Sequence, residues 1–241
     1  TLSNEEINAS LVLLLVSAFR TSYNTELPTY EKKSINIKYN KKYNKDEISN
    51  YLIEKLLLQK IDSYMWLLLI KTKILKKIVL NEELLIHQDF DFYLSLFLNI
   101  NSIYISNIIT YNYCYSKTSS KSAPYYERNI YNLINLNTSL KNNLISNKID
   151  NKKYLKIIDS RYLEMLIPYF EKLYFKDHNL FNKIVKDFKI NKDFKTITNN
   201  INYKYLSINI AIEYLLLFKI SKFLYVQYIN LIKKFKIKEL L

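Results

Sequence analysis

The sequence predicts an α/β chain in which helix dominates and strands are confined to the first half. Apolar runs of strand length occur before residue 123, whereas later apolar residues show no long strand alternation. Of the 241 residues, 49% are hydrophobic, which is enough for a sizeable core and argues against disorder. We therefore predict a mixed region over residues 1–123 and an all-α region over residues 124–241.

Three segments of the first region have the character of strands. Residues 10–19 (SLVLLLVSAF) form a continuous apolar run typical of a strand buried on both faces, although periodicity alone leaves a helix open. Residues 101–106 (NSIYIS) and 108–116 (IITYNYCYS) are also strand-like. After the first of these segments, residues 20–43 are polar and predict a loop with one irregular strand or hairpin near SINIKY.

Helices are predicted elsewhere from apolar stripes and capping residues. Residues 44–60 have a stripe formed by Ile48, Leu52, Leu56 and Leu57, with Asn44 or Asp46 as the cap. Residues 62–77 predict a second helix with a lysine-rich C-terminal end, and QDFDFYLSLFL marks a further helix start. The second region predicts helices over 125–146, 152–175 (kinked or broken at Pro168), 179–188, and 203–241 as one helix or two abutting helices.

Charge and cysteine content narrow the classes of function. A net charge of +14 favours an anionic partner, namely a membrane surface, a nucleic acid or a phosphorylated substrate. The absence of glycine and the use of only three arginines fit an AT-rich genome, so codon bias on solvated faces is the competing explanation. No RNA- or DNA-binding motif is present, and we predict no nucleic-acid partner. Because Cys114 is the single cysteine, an internal disulfide and a Cys-cluster metal site are excluded. With two histidines in the chain, a His-cluster metal site is improbable.

No targeting or membrane-spanning segment is predicted. Residues 1–20 lack a basic leader and a cleavage site, and no charge-free apolar run is long enough to span a bilayer.

Short motifs occur in a fixed order between residues 62 and 122. They are W-x-x-L-x-K, then D-x-x-F, then Y-x-Y, then a basic S-x-S loop, carried by Trp66, Leu69, Lys71, Asp89, Phe92, Tyr111, Tyr113, Lys117, Ser120 and Ser122. This order resembles the second half of a bacterial family 2 glycosyltransferase domain of the GT-A type, which reads W-x-x-L-(Y)-K-R, E-D-x-x-F, Y-x-Y and S-x-S. The resemblance covers about residues 8–125, half of the chain.

The resemblance implies a partial GT-A (Rossmann-like) domain followed by an all-α C-terminal region. It implies an inverting enzyme that transfers a sugar from a nucleotide-sugar donor to a cell-envelope glycan or a lipid-linked acceptor in the cytoplasm. Asp89 would be the general base, Trp66 an acceptor contact, and Lys117, Ser120 and Ser122 contacts to the donor diphosphate. A divalent cation (Mn or Mg) is implied as well, but its ligands and the nucleotide-binding half are not found in these residues, so we expect a fragment.

Each of these residues also has a simpler interpretation. In that interpretation Asp89 does no more than cap its helix, Trp66 is a core residue, and the Lys/Ser loop is a solvated turn. Gln88 stands where the family has Glu. Asp89-Phe90-Asp91 has the form of a metal-binding D-x-D, but we reject that role because residues two apart on a helix point roughly 200° away from each other.

The C-terminal segment suggests a second class of function. Residues 211–241 place lysines against a Leu/Phe/Tyr/Ile face, which suits the surface of an anionic membrane as well as a helix packed on the domain. The competing hypothesis is therefore a non-enzymatic basic helical module that binds an anionic membrane or a protein partner. For an enzyme, the same segment would favour a peripheral position at the inner face of the cell membrane.

Overall fold

A computed structural model describes residues 12–15, 38–106, 126–149 and 151–238. The chain divides into two compact units. Among the described residues, unit 1 holds 12–15, 38–106 and 139–149, and unit 2 holds 126–138 and 151–238. Residues 139–149 therefore belong with the first unit, although they lie beyond the region boundary drawn from the sequence.

Helices make up most of the described residues, which confirms a helix-dominated chain. Unit 1 contains a four-stranded mixed sheet of β1 (Val12–Leu15), β2 (Lys41–Asn44), β3 (Leu68–Ile70) and β4 (Ser102–Ser106) in the order β2-β4-β1-β3. β1 runs parallel to β4, whereas β3 is antiparallel to β1 and β2 is antiparallel to β4. These short strands do not amount to a Rossmann-like domain in the described part of the chain.

The sheet agrees in part with the predicted strands. β1 lies inside the apolar run 10–19, and β4 matches NSIYIS. The strand expected near SINIKY begins instead at Lys41, and residues 34–37 lie outside the description, as does the predicted strand 108–116.

The first helix, α1, is continuous through Lys45–Glu47, Ile48–Leu52 and Ile53–Leu57, with a π-helical middle. Asn44 caps it through a capping box, because its Oδ1 accepts from the Glu47 backbone N–H at 2.9 Å and Glu47 Oε2 accepts from the Asn44 N–H at 3.0 Å. The predicted stripe is confirmed, since all four of its residues are buried. The cap is Asn44 and not Asp46.

The predicted helix over 62–77 is wrong. The structure has a 3₁₀ turn at Met65–Leu67, strand β3 at Leu68–Ile70, and a short helix α2 at Thr72–Leu75. The continuous apolar run WLLLI is compatible with helix or strand when considered alone. Pairing of Leu68, Leu69 and Ile70 with β1 decides in favour of the strand, because tertiary contacts outweigh a weak local preference.

Unit 1 is completed by α3 (Gln88–Asn99), which packs beside α1. The side chain of Lys45, at the start of α1, donates from Nζ to the Leu98 carbonyl at 2.6 Å near the end of α3. This bond joins the first turn of α1 to the last turn of α3.

Every element of the described part of unit 2 is helical. The helices are α4 (Tyr126–Ser146, whose residues from 139 belong to unit 1), α5 (Lys152–Lys176), α6 (His178–Ile190), α7 (Lys192–Asn199), a 3₁₀ turn (Tyr203–Tyr205), α8 (Ile208–Tyr214, continued by a π-helical Leu215–Ile220) and α9 (Lys222–Lys238). The helices predicted at 125–146 and 179–188 are confirmed, whereas α7 was not predicted. In the predicted segment 203–241, the structure has two abutting helices, α8 and α9.

Of the kink or break predicted at Pro168, the break does not occur, because α5 continues through this residue to Lys176. Proline removes one helical hydrogen bond. The residues around it, Leu166, Ile167 and Phe170, are fully buried, so packing offsets that loss. Phe170 lies at the centre of an aromatic core, with ring centroids 6.3 Å from Phe181 and 5.5 Å from Phe188.

A chain without glycine must form its left-handed turns with other residues. Asn40, Gln59, His87 and Lys148 all have positive φ, between 52° and 59°. Lys148 ends α4 in a Schellman motif, in which the Ile149 N–H donates to the Leu144 carbonyl at 3.0 Å and the Lys148 N–H donates to the Ile145 carbonyl at 2.9 Å. Glycine is the usual residue at this position because a Cβ makes the left-handed conformation unfavourable.

We expect Lys148→Gly to raise the free energy of unfolding by about 1 kcal/mol, because it relieves the left-handed strain at an exposed position. Ser146→Gly, the matched control two residues earlier in right-handed helix, should lower it by up to about 1 kcal/mol. Urea unfolding followed by circular dichroism measures both. Equal effects of the two substitutions would contradict the assignment of strain to residue 148.

Candidate functional site

The candidate site is built around Asp89, which lies in the first turn of α3. His87 is the N-cap residue in a left-handed conformation (φ 59°), and its carbonyl accepts from the N–H groups of Phe90 at 3.1 Å and Asp91 at 3.2 Å. Gln88 donates from its side chain to the Leu84 carbonyl. The predicted helix start is confirmed, and Asp89 is the second helical residue and not the cap. Its side chain is partly exposed near the positive end of the helix dipole.

Asp91, two residues later, is buried, with 4% of its surface exposed. Its Oδ1 accepts from Ser139 Oγ at 2.8 Å and from Asn143 Nδ2 at 3.1 Å, both on α4. Asn81 Nδ2 donates in turn to Ser139 Oγ at 3.2 Å. Burial raises the pKa of Asp91 above its ordinary 3.8, and the two hydrogen bonds only partly oppose this. Asp91 therefore joins α3 to the last turns of α4.

The two aspartates occupy different environments, one partly exposed and one buried against α4. Within the ranges that the structure describes, no group of three or more His, Cys, Asp or Glu side chains could hold a metal ion.

Tyr93 connects the Asp89 turn to the segment that contains Trp66. It lies one helical turn after Asp89, on the same face of α3. The side chain is fully buried, and its hydroxyl donates to the Tyr64 carbonyl at 2.8 Å. Burial, followed by the negative charges of Asp89 and Asp62, raises the pKa of Tyr93 well above its usual range. Tyr93 therefore remains a neutral hydrogen-bond donor between the two segments.

Asp62 adds a second carboxylate that sequence reasoning missed. It is partly exposed, and after the larger effect of burial its charge also raises the pKa of Tyr39. The negative charges of both Asp62 and Asp89 therefore act on the pKa of the Tyr93 hydroxyl. The signal in the sequence was weak: a tyrosine four residues after Asp89, and an aspartate four residues before Trp66.

For the other predicted site residues, the structure describes Trp66 and Lys71 and does not cover the rest. The Trp66 backbone lies in the 3₁₀ turn two residues after Tyr64, and its side chain is outside the description. Lys71 is exposed, in extended backbone just before α2. The predicted diphosphate contacts, together with the cysteine and the Y-x-Y motif, lie outside the described residues: Lys117, Ser120, Ser122, Cys114, Tyr111 and Tyr113.

No family model matches the chain, and neither a curated protein nor a solved structure matches it. In the described ranges, no helix is both long enough and apolar enough to cross a bilayer.

The Asp91 contacts predict opposite effects for two substitutions. Asp91→Asn keeps an oxygen that can accept from both Ser139 and Asn143 and removes a buried charge, so we expect unchanged or higher stability at pH 7. Asp91→Ala leaves both donors without their acceptor, and we expect a loss of about 1–3 kcal/mol. Urea unfolding measures both, and equal losses would contradict the proposed role of the buried carboxylate.

Asp91 also predicts a pH dependence. Its raised pKa means that the folded protein holds this proton more tightly than the unfolded chain does. The stability contributed by this proton is complete below the unfolded value of 3.8 and is lost as the pH rises through the folded-state pKa. We expect Asp91→Asn to abolish this component when unfolding free energy is measured against pH. An unchanged profile would show that another group titrates there.

Proposed function

We propose that the start of α3 is the acceptor side of a glycosyl-transfer site. The reaction would move a sugar from a nucleotide-sugar donor to a cell-envelope glycan or lipid-linked acceptor, as in family 2 glycosyltransferases of the GT-A type. One observation carries the proposal: the hydrogen bond from Tyr93 to the Tyr64 carbonyl holds the Trp66 turn against α3, whose second residue is Asp89. Two motifs of the resemblance that are distant in sequence therefore adjoin.

The proposed role of Asp89 is that of a general base. Its carboxylate takes the proton from the acceptor hydroxyl while that oxygen attacks the anomeric carbon and the nucleoside diphosphate departs with the electron pair of the broken bond. A partly exposed carboxylate near a helix N-terminus suits this role, because the helix dipole favours the ionised form. Attack opposite to the leaving group gives inversion at the anomeric carbon.

The neighbouring side chains fit an acceptor site. Asp62 supplies a second carboxylate that could accept hydrogen bonds from sugar hydroxyls, and the backbone of the Trp66 turn lies next to it in sequence. Because the Tyr93 hydroxyl is buried and bonded to Tyr64, it acts on the position of the turn and not directly on a substrate.

The donor side of the proposal rests on the resemblance alone. Lys117, Ser120 and Ser122 would contact the diphosphate, with lysine supplying charge and serine supplying hydrogen bonds. The described residues do not form a cation site, so no step of the proposal depends on a metal ion held by them. The finer fold assignment, a partial GT-A domain, belongs to the proposal and rests on the same resemblance.

The two aspartates of the D-x-D sequence provide a matched test. In the full-length protein, Asp89→Asn should lower transfer by about 100-fold or more while the fold is retained, because it removes the general base. Asp91→Asn should keep transfer within a few-fold of wild type. Release of nucleoside diphosphate from a panel of nucleotide sugars, with cell-envelope glycans as acceptors, measures the rate.

Circular dichroism and donor binding serve as controls for both variants. Wild-type turnover by Asp89→Asn would reject Asp89 as the base. Equal loss in both variants would indicate that the pair acts together, as in a metal-binding D-x-D.

A further inference from the structure

The outward side of α9 is unusually apolar. Tyr225 and Ile229 are buried and hold the helix against unit 2. On the other side, Phe223 is 67% exposed, Leu224 45% and Leu231 54%. With 100° per residue, these three positions fall within an arc of about 100°, so they share one face of the helix.

Ile220, the residue at the end of the preceding helix, is also 64% exposed. We define the outer face of α9 as Phe223, Leu224 and Leu231, with Ile220 preceding it in sequence beyond the extended Ser221. A surface helix normally carries polar residues on the side opposite its buried stripe. Here exposed Gln227 lies within the same arc, and the three large apolar side chains exposed around it indicate an interaction surface.

The charges of this segment itself are all positive. Residues 215–238 contain six lysines and no acidic residue. Lys219 is exposed, whereas Lys233 lies about 280° around the helix from Phe223, near the buried side, with its Nζ 3.9 Å from the ring centroid of Phe175. The nearest acidic residue before this segment in sequence, Glu213, is buried. An anionic partner would therefore meet no repulsion from acidic side chains of this segment.

Exposed apolar side chains next to lysines favour one kind of partner for the outer face over two others. A second copy would bring two lysine-rich faces together in a chain of net charge +14, which repulsion disfavours. A nucleic acid would use the lysines but leave the leucine side chains without an apolar partner. A bilayer with anionic lipids satisfies both features, because lysines meet the headgroups while phenylalanine and leucine enter the boundary of the acyl chains.

We propose that the outer face of α9 binds an anionic lipid bilayer, with the helix lying in the plane of the interface. The side chains of Phe223, Leu224 and Leu231 enter the bilayer, and neighbouring lysines pair with the lipid headgroups. The inference depends on unit 2 alone and does not require that the protein transfer sugars.

Vesicle co-sedimentation tests this inference on the whole chain. The wild-type protein should bind vesicles of phosphatidylcholine mixed with phosphatidylglycerol, bind phosphatidylcholine vesicles weakly, and dissociate as salt is raised. The double substitution Phe223→Ser, Leu231→Ser should weaken binding by about tenfold or more. Ile190→Ser, at a position 74% exposed at the end of α6, removes a similar apolar side chain and should leave binding unchanged.

Charge is tested separately by Lys219→Gln combined with Lys234→Gln, the latter at a position that 100° per residue places on the outer side of α9; the pair should weaken binding to anionic vesicles by about fivefold per lysine. Circular dichroism checks that each variant is folded. Equal affinity for neutral and anionic vesicles, or wild-type binding by the folded Phe223/Leu231 variant, would overturn the proposal. So would a wild-type dimer in solution that the same variant dissociates, because the outer face would then be an interface between copies.

Discussion

The hydrogen bonds that the buried Asp91 carboxylate accepts from Ser139 and Asn143 fix the position of α3. They join the first turn of this helix to α4, a helix far away in sequence. Since a helix is stiff, fixing Asp91 also fixes the residues on either side of it. Asp89 is then held at the exposed helix start, and Tyr93 is directed to the Tyr64 carbonyl. The arrangement of the candidate site is thus a consequence of one buried polar contact.

This contact separates the roles of two aspartates that look alike in the sequence. A buried carboxylate is costly unless it is hydrogen-bonded, and Asp91 meets that requirement with two donors from α4. Asp89 is partly exposed and lies where the helix dipole favours a negative charge. The first arrangement suits a structural residue, and the second suits a group that exchanges a proton with a bound molecule.

Local patterns predicted the elements that local forces decide. The cap of α1 and its buried stripe involve residues within a few positions of one another; the structure confirms the stripe and selects Asn44 from the two predicted caps. The WLLLI segment was assigned wrongly because its strand conformation depends on pairing with β1. The partners of Asp91 lie 48 and 52 residues away, so its role could not be predicted from the residues around it. The same holds for Asp62, whose charge acts on Tyr93, a residue 31 positions later in the chain.

The central claim, that Asp91 is a buried structural carboxylate and Asp89 an accessible one, is tested most directly by NMR of the side-chain carboxyl carbons. A pH titration of the folded protein, repeated with added Mn²⁺, reports on each aspartate separately. We predict that Asp91 titrates above its ordinary value of 3.8 and that its signal is unaffected by Mn²⁺. An Asp91 pKa at or below 3.8, or equal broadening of both aspartate signals by Mn²⁺, would contradict the account.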